Sequence, residues 1–200
     1  LLIPDVVSYN HYFGWYGGNT TMNGPWFDKF HEMHPNIPIG CSEYGCEALN
    51  WHTSTPKQGD YTEEYQAFYH YEMLKMFEAR PWIWSSHVWN MFDFAADARD
   101  EGGVKGMNNK GLVTYDRKTK KDSFYLYKAY WNQDEKFVWI ASKRFVEREL
   151  ETIKVGVYTN LDKVTLIQNG EEVGTVDVVD HKATFEVTLK DGENNFVAVS

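Results

Sequence analysis

The chain has 200 residues, of which 42% are hydrophobic and 16% aromatic, so it can bury a sizeable core and is not a disordered polymer. Its formal net charge of −9 repels a phosphate backbone and anionic lipid headgroups alike, which argues against nucleic-acid and membrane partners. No apolar run approaches the roughly 20 residues that cross a bilayer, and no signal-peptide pattern is present, so we expect a cytoplasmic protein.

Before residue 136, short apolar runs alternate with helical patterns. The runs, which suit buried strands, are residues 6–9, residues 37–41 and a third run that residues 82–84 open and that continues to Trp89. The predicted helices are residues 26–33, 60–81 and 123–131. The second of these is the clearest, because Asp60 and Glu63 form a start signal and apolar side chains recur at helical spacing until Pro81. Strand followed by helix, three times over, predicts a parallel α/β region.

From residue 136 onward the periodicity changes to short alternating segments, which predict β-strands. They are residues 137–142, 153–159, 164–168, 172–176, 183–189 and 196–199. The pairs Asn169-Gly170 and Asp191-Gly192 are typical of tight turns between antiparallel strands. We therefore predict two domains, an α/β domain over residues 1–135 and a small, incomplete β-sandwich over residues 136–200.

Polar clusters end each of the three predicted parallel strands, where reactive groups gather in such folds. Glu43 follows the second run within Ser-Glu-Tyr-Gly, and the clusters at residues 9–12 and 87–90 follow the first and third runs. Glycosidases need a carboxylate to stabilise an oxocarbenium-like transition state, a second acid for the leaving group, and aromatic faces against the sugar. The three clusters contain residues of these types.

Four stretches, in this order, resemble family 2 glycoside hydrolases, the β-galactosidase, β-glucuronidase and β-mannosidase group. They are NHYFGWY (residues 10–16), SEYG (42–45), VWNMFDF (88–94) and NNKGLVTYDR (108–117). The resemblance implies a (β/α)8 TIM barrel of which strands six to eight are present here. Residues 139–144 and 155–160 resemble the immunoglobulin-like β-sandwich that follows the barrel in many bacterial β-galactosidases.

The resemblance also implies site residues. Glu43 matches the nucleophile that forms a covalent glycosyl-enzyme intermediate with net retention, and Tyr12 matches the tyrosine that orients it. Trp89 matches a tryptophan of the sugar subsite, and Asn108 and Lys110 lie in a loop that reaches substrate groups. No resident metal or cofactor is expected, and the partner is a carbohydrate.

Histidines and acidic side chains near these motifs have competing interpretations. His11 and His87 are candidate substrate contacts, with a structural role equally favoured. Cys41 and Cys46 match no common zinc pattern with His52, so we expect two buried apolar thiols instead. The acidic loop at 97–103 is more simply a solvated loop than a cation site.

The family's acid/base glutamate lies in an Asn-Glu motif that ends strand four, and no candidate for it precedes Tyr12. We therefore predict that the 200-residue piece is inactive alone and that the full-length enzyme is a homo-oligomer. The favoured activity is an exo-acting β-galactosidase that cleaves terminal β-galactosides. The alternative is a β-glucuronidase in which Asn108 and Lys110 bind the uronic carboxylate. A non-catalytic carbohydrate-binding or assembly module is the alternative of another class.

Overall fold

The computed structural model describes residues 3–200, and its contacts divide the chain into two units between Lys121 and Asp122. This division differs from the predicted boundary at 135/136 by one helix. The helix groups with the second unit because the Asp122 carboxylate accepts hydrogen bonds from the Trp139 indole, at 3.0 Å, and from the Ser142 backbone, at 2.6 Å.

A parallel three-stranded sheet organises the first unit. Its strands are β1 (Val7–Asn10), β2 (Ile39–Tyr44) and β3 (Ser86–Val88), in the order β1-β2-β3. Each begins later along the chain than predicted. The third strand differs most. A turn precedes it, in which the Ile83 N–H donates to the Arg80 carbonyl at 2.9 Å, so residues 82–84 lie outside the strand. The described residues form no closed barrel.

Two helices follow β1 and β2 in this unit. Helix α1 (Asn23–Met33) follows a 3₁₀ turn (Thr20–Met22), and α2 spans Glu63–Glu78. The N-cap of α2 lies two residues after the predicted helix start, because Thr62 rather than Asp60 caps the helix. The Thr62 hydroxyl accepts from the Tyr65 N–H at 3.1 Å, and Asp60 in turn accepts from the Thr62 N–H at 3.0 Å. A short antiparallel pair, β4 (Phe94–Ala95) and β5 (Met107–Asn108), closes the loop beyond β3.

The second unit contains helix α3 (Asp122–Trp131) and two three-stranded sheets. One sheet has the order β10-β7-β6 and the other β11-β8-β9, and apolar side chains of β7, β8 and β10 form a shared core. The strands are β6 (Val138–Ile140), β7 (Thr152–Thr159), β8 (Lys163–Gln168), β9 (Glu171–Asp177), β10 (Lys182–Thr188) and β11 (Phe196–Val199).

The turn predictions had mixed outcomes. Asn169-Gly170 joins β8 to β9 with both φ values positive, 52° and 84°, as a tight hairpin requires. The prediction for Asp191-Gly192 was wrong, because β10 and β11 belong to different sheets and therefore form no hairpin. The side chain of Asn194 closes that loop instead, by accepting from the Lys190 N–H at 2.9 Å and donating to the Lys190 carbonyl at 2.8 Å.

Candidate active site

Glu43 lies near the carboxyl end of β2 and is half-buried. Its Oε2 accepts a hydrogen bond from the Tyr12 hydroxyl at 2.8 Å. Tyr12 reaches it because β1 runs parallel to β2 and Asn10 pairs with Glu43 in register. Burial, and then the hydrogen bond to Glu43, raise the pKa of Tyr12 above its usual value. The phenol therefore stays protonated and donates to the Glu43 side chain.

Main-chain contacts hold this carboxylate between the neighbouring strands. The His11 N–H donates to the Glu43 carbonyl at 2.7 Å, and the Trp89 N–H donates to the Tyr44 carbonyl at 2.8 Å. Gly45 is required by the same approach, since a Cβ there would lie 2.1 Å from the Trp89 carbonyl oxygen. The glycine of the Ser-Glu-Tyr-Gly motif thus lets β3 come close to the strand that carries Glu43.

Trp89 and His87, two of the predicted substrate contacts, lie within or next to β3. Trp89 is half-buried at the end of β3, against Phe94 at 5.9 Å between ring centroids, and its peptide bond to Asn90 is cis. His87 is exposed, with Nδ1 3.3 Å from the Cys41 carbonyl oxygen. Neither placement assigns a role, so both stay predicted substrate contacts.

His11 lies in different surroundings from those predicted for a substrate contact. Only 4% exposed, its ring packs on Trp26 and Phe27 of α1, at 4.2 and 4.4 Å between centroids. Burial lowers the pKa of His11 to about 4, so the imidazole is neutral at pH 7. This geometry favours the structural interpretation of His11 over substrate contact.

Lys110 lies beside the Glu43–Tyr12 pair although it is only 1% exposed. Its ammonium is 5.8 Å from the centroid of the Tyr12 ring and 4.8 Å from that of the Tyr16 ring. It donates to the Tyr16 hydroxyl at 2.8 Å and to Glu47 Oε1 at 3.1 Å. Since an ammonium has three N–H donors, these two bonds leave one for a further acceptor.

Asn108 shapes the loop that carries Lys110. Its Oδ1 accepts from the Lys110 N–H at 3.0 Å, so this side chain is bonded to the backbone of its own loop. The loop is tied to the segments that follow β2 and β3, because the Ala48 N–H donates to the Asn109 carbonyl and the Asn90 N–H to the Lys110 carbonyl. The structure thus brings Asn108 and Lys110 to the same strand ends as Glu43 and Trp89.

Three further residues of this site were missed in the sequence. Glu47, 1% exposed, accepts from Lys110, from the Arg99 guanidinium and from the Asn109 N–H at 3.3 Å. Arg99 Nη2 also donates to the Tyr16 hydroxyl at 3.2 Å. The sequence contained a signal for two of these residues, because Tyr16 belongs to the first motif and Glu47 lies four residues after Glu43. For Arg99 we find no signal in the sequence.

The loop at 97–103 is consequently more than the solvated loop that was predicted. Arg99 reaches inward from it to Glu47, and a Cβ on Gly103 would lie 2.8 Å from Glu47 Oε2. Burial alone would lower the pKa of Arg99, but its hydrogen bonds with Tyr16 and Glu47 raise it overall. The loop therefore delivers a permanent cation to the base of the site.

A second buried lysine lies behind this loop. Lys121, 0% exposed, donates to Asp93 Oδ1 at 2.9 Å, to the Ala48 carbonyl at 2.7 Å and to the Asn109 carbonyl at 3.0 Å. All three of its donors are used. Burial raises the pKa of Asp93 and lowers that of Lys121, each opposed by the partner's charge. This pair connects the segments that carry Ala48, Asp93 and Asn109.

The two cysteines belong to no metal-binding group among the described residues. Cys41 and Cys46 are buried free thiols, as predicted, and burial raises the pKa of Cys41 to about 12. Among residues 3–200, no three His, Cys, Asp or Glu side chains are grouped to hold a metal ion. Within the same range, no helix combines the length and apolarity that a membrane span needs.

Comparison with known protein families gives two matches along the chain. Residues 3–134 match the model for the TIM barrel domain of glycosyl hydrolases family 2, and residues 151–200 match a domain of unknown function (DUF4982). A beta-glucuronidase of Bacteroides fragilis is 38% identical over 200 residues, which cover 96% of this chain and 29% of that protein.

Two solved structures are also similar along nearly the whole chain. An FMN-binding beta-glucuronidase from Facaelibacterium prausnitzii L2-6 is 58% identical with a TM-score of 0.94, over 98% of this chain and 30% of that one. A "putative beta-galactosidase" from Bacteroides fragilis is 35% identical with a TM-score of 0.90, over the same shares. The FMN binding in the first name is a property of that relative. This chain therefore spans under a third of the length of these relatives, and it belongs to glycoside hydrolase family 2.

Proposed function

We propose that the full-length protein is a retaining β-glucuronidase in which Glu43 is the nucleophile and Lys110 binds the uronic carboxylate. The observation that carries the proposal is the buried ammonium of Lys110, 5.8 Å from the ring whose hydroxyl bonds Glu43. This choice reverses the preference for β-galactosidase drawn from the sequence. Relatives named beta-glucuronidase support the reversal.

The hydrogen bonding of Lys110 supports an anionic substrate group. Lys110 and Arg99 both contact the buried carboxylate of Glu47, and Arg99 also pairs with the exposed Glu101 at 2.8 Å. A glucuronide supplies a second carboxylate for the unused donor of Lys110, and a charge-assisted hydrogen bond in such a site contributes about 1.5–3 kcal/mol. Galactose carries no anion, so it would leave that donor unmatched.

The chemistry proposed for Glu43 follows from its setting. A carboxylate that accepts from a protonated phenol is held in one orientation and stays available to attack an anomeric carbon. A retaining site needs a second carboxyl group as acid/base, and we assign that role to no residue of this chain. The 200-residue piece on its own is accordingly expected to be inactive.

The activity is tested by comparing nitrophenyl β-glucuronide and nitrophenyl β-galactoside as substrates of the full-length protein, with Glu43→Gln as the nucleophile knockout. We expect preference for the glucuronide and a loss of about 10⁴-fold or more in kcat for Glu43→Gln. Preference for the galactoside would instead support the second candidate, β-galactosidase, which a relative of that name favours. Sugar binding without turnover would support the non-catalytic module.

Three further proposals concern the fold of residues 136–200, self-association and location. We propose that residues 136–200 form an immunoglobulin-like sandwich, supported by two sheets around one apolar core in the second unit. Self-association of the full-length enzyme and a cytoplasmic location remain predictions from the sequence.

A further inference from the structure

Beyond the nucleophile and the carboxylate-binding lysine, we propose that Glu47 is the positioning residue that sets substrate specificity, by holding Lys110 and Arg99 in place for a uronic carboxylate. The inference rests on the proposed function, because it concerns how the same site selects its sugar. Glu47 does not touch Glu43 in any contact of the described chain, so its effect acts through the two cations.

The geometry identifies Glu47 as the shared anchor. Its Oε1 accepts from Lys110 Nζ at 3.1 Å and from Arg99 Nε at 3.1 Å, and its Oε2 accepts from the Asn109 N–H at 3.3 Å. Both oxygens are therefore bound within the protein. One carboxylate thus fixes two cations that come from separate loops, one after β4 and one after β5.

Charge balance explains why such an anchor is needed. Lys110 and Glu47 are each 1% exposed, and a lone ammonium or carboxylate at that depth costs several kcal/mol. The Glu47 carboxylate makes burial of Lys110 possible before substrate arrives, and it also holds Arg99, which pairs with Glu101 at 2.8 Å. The loss of Glu47 would let Lys110 turn toward solvent, and the uronic carboxylate would then lose a prearranged partner.

Tyr16 links this anchor to the nucleophile. Its hydroxyl accepts from Lys110 at 2.8 Å and from Arg99 at 3.2 Å, and its ring lies 5.2 Å from that of Tyr12, which bonds Glu43. The position of Lys110 is therefore set relative to Glu43 through packed aromatic rings. A displaced Lys110 should weaken binding of the charged sugar more than it slows the chemical step.

The test is Glu47→Gln in the full-length protein, which removes the charge and keeps the shape. We expect KM for nitrophenyl β-glucuronide to rise roughly ten- to a hundredfold with kcat changed less than about threefold, in line with the loss of a charge-assisted contact. Any measurable rate on an uncharged nitrophenyl glycoside should stay the same. Glu47→Asp, which retains the charge, should recover part of the loss.

A double-mutant cycle adds a readout that a purely structural role would not produce. In a Lys110→Ala background, Glu47→Gln should change kcat/KM for the glucuronide much less than it does in the wild type, because Lys110, one of the two cations that it positions, is gone. The matched control is Glu171→Gln in the second unit, which removes an equivalent carboxylate from an exposed ion pair with Lys190, 2.9 Å long. It should leave both constants unchanged.

The outcomes separate the inference from the proposed function. If the wild-type protein does not hydrolyse the glucuronide, the proposed function fails and the inference fails with it. If the wild type does hydrolyse it but Glu47→Gln retains the same KM, or lowers kcat equally on charged and uncharged substrates, only the inference is overturned. Where Glu47→Gln does not fold, an unchanged KM in Glu47→Asp overturns it, since a shortened anchor must displace Lys110.

Discussion

Lys110 and Lys121 are both buried beside the ends of the parallel strands, yet their surroundings differ in one respect. Lys121 places all three donors on protein acceptors, whereas Lys110 uses two and turns toward the rings of Tyr12, Trp15 and Tyr16. A fully matched ammonium has nothing left to offer a ligand. We propose that an incompletely matched one, held near the Tyr12–Glu43 hydrogen bond, binds an anion. Hydrogen-bond saturation is thus the difference on which the proposed role of Lys110 rests.

The largest expected effect comes from breaking the saturated site. Lys121→Met leaves the Asp93 carboxylate buried without its cation, and such a loss typically costs about 3–5 kcal/mol of unfolding free energy. Chemical denaturation of the variant and the wild type measures this difference. Protein that remains folded should keep its KM for nitrophenyl glucuronide, whereas a raised KM with unchanged stability would erase the contrast with Lys110. Lys190→Met, in an exposed pair of the second unit, is the control.

Breaking the unsaturated site should have the opposite profile. Lys110→Ala is expected to lower kcat/KM for nitrophenyl glucuronide by about 1.5–3 kcal/mol, roughly ten- to a hundredfold, with no comparable loss on nitrophenyl galactoside. Steady-state kinetics on both substrates, with a thermal melt to check folding, provide the measurement. Equal losses on the two sugars would show that Lys110 supports the site without recognising an anion.

The contrast between the lysines also shows what could be predicted from the sequence. Glu43, Tyr12 and the Asn108–Lys110 loop were found because each belongs to a motif of consecutive residues. Glu47 and Arg99 were missed because their meaning arises from a contact across 52 positions, which no local pattern records. The strands and helices were predicted from periodicity, but the cap of α2 and the sheet change between β10 and β11 depend on tertiary contacts. The choice between the two sugars could not be made from a local pattern for the same reason, since the contacts around Lys110 involve three separate loops.

Tyr12→Phe sharpens the comparison from the side of the nucleophile. The variant removes one hydrogen bond to the Glu43 carboxylate, worth about 1.5 kcal/mol, and keeps the ring that faces Lys110. We expect kcat to fall about tenfold on glucuronide and galactoside alike, because Tyr12 acts on the nucleophile and not on the sugar's anion. Tyr125→Phe, which removes a hydroxyl from helix α3 of the second unit, is the matched control. A loss restricted to the glucuronide would place Tyr12 in anion recognition with Lys110.

The smallest expected effect tests whether burial, rather than ion pairing itself, explains the large contribution to the free energy of unfolding that we expect from Lys121. Arg80 holds Asp28 with two hydrogen bonds of 2.7 Å, but the Asp28 side chain is 51% exposed, so screening limits the pair to about 0.5 kcal/mol. The hydrogen bond and charge of Arg80 lower the pKa of Asp28 in the folded state. Its contribution is therefore complete above the unfolded pKa, near 3.9, and is lost as the pH falls through the lower folded value. Asp28→Asn should melt slightly below the wild type at pH 7 and together with it in acid, with Glu32→Gln on the same helix as the control. A loss at pH 7 as large as that of Lys121→Met would mean that pairing, not burial, sets the scale.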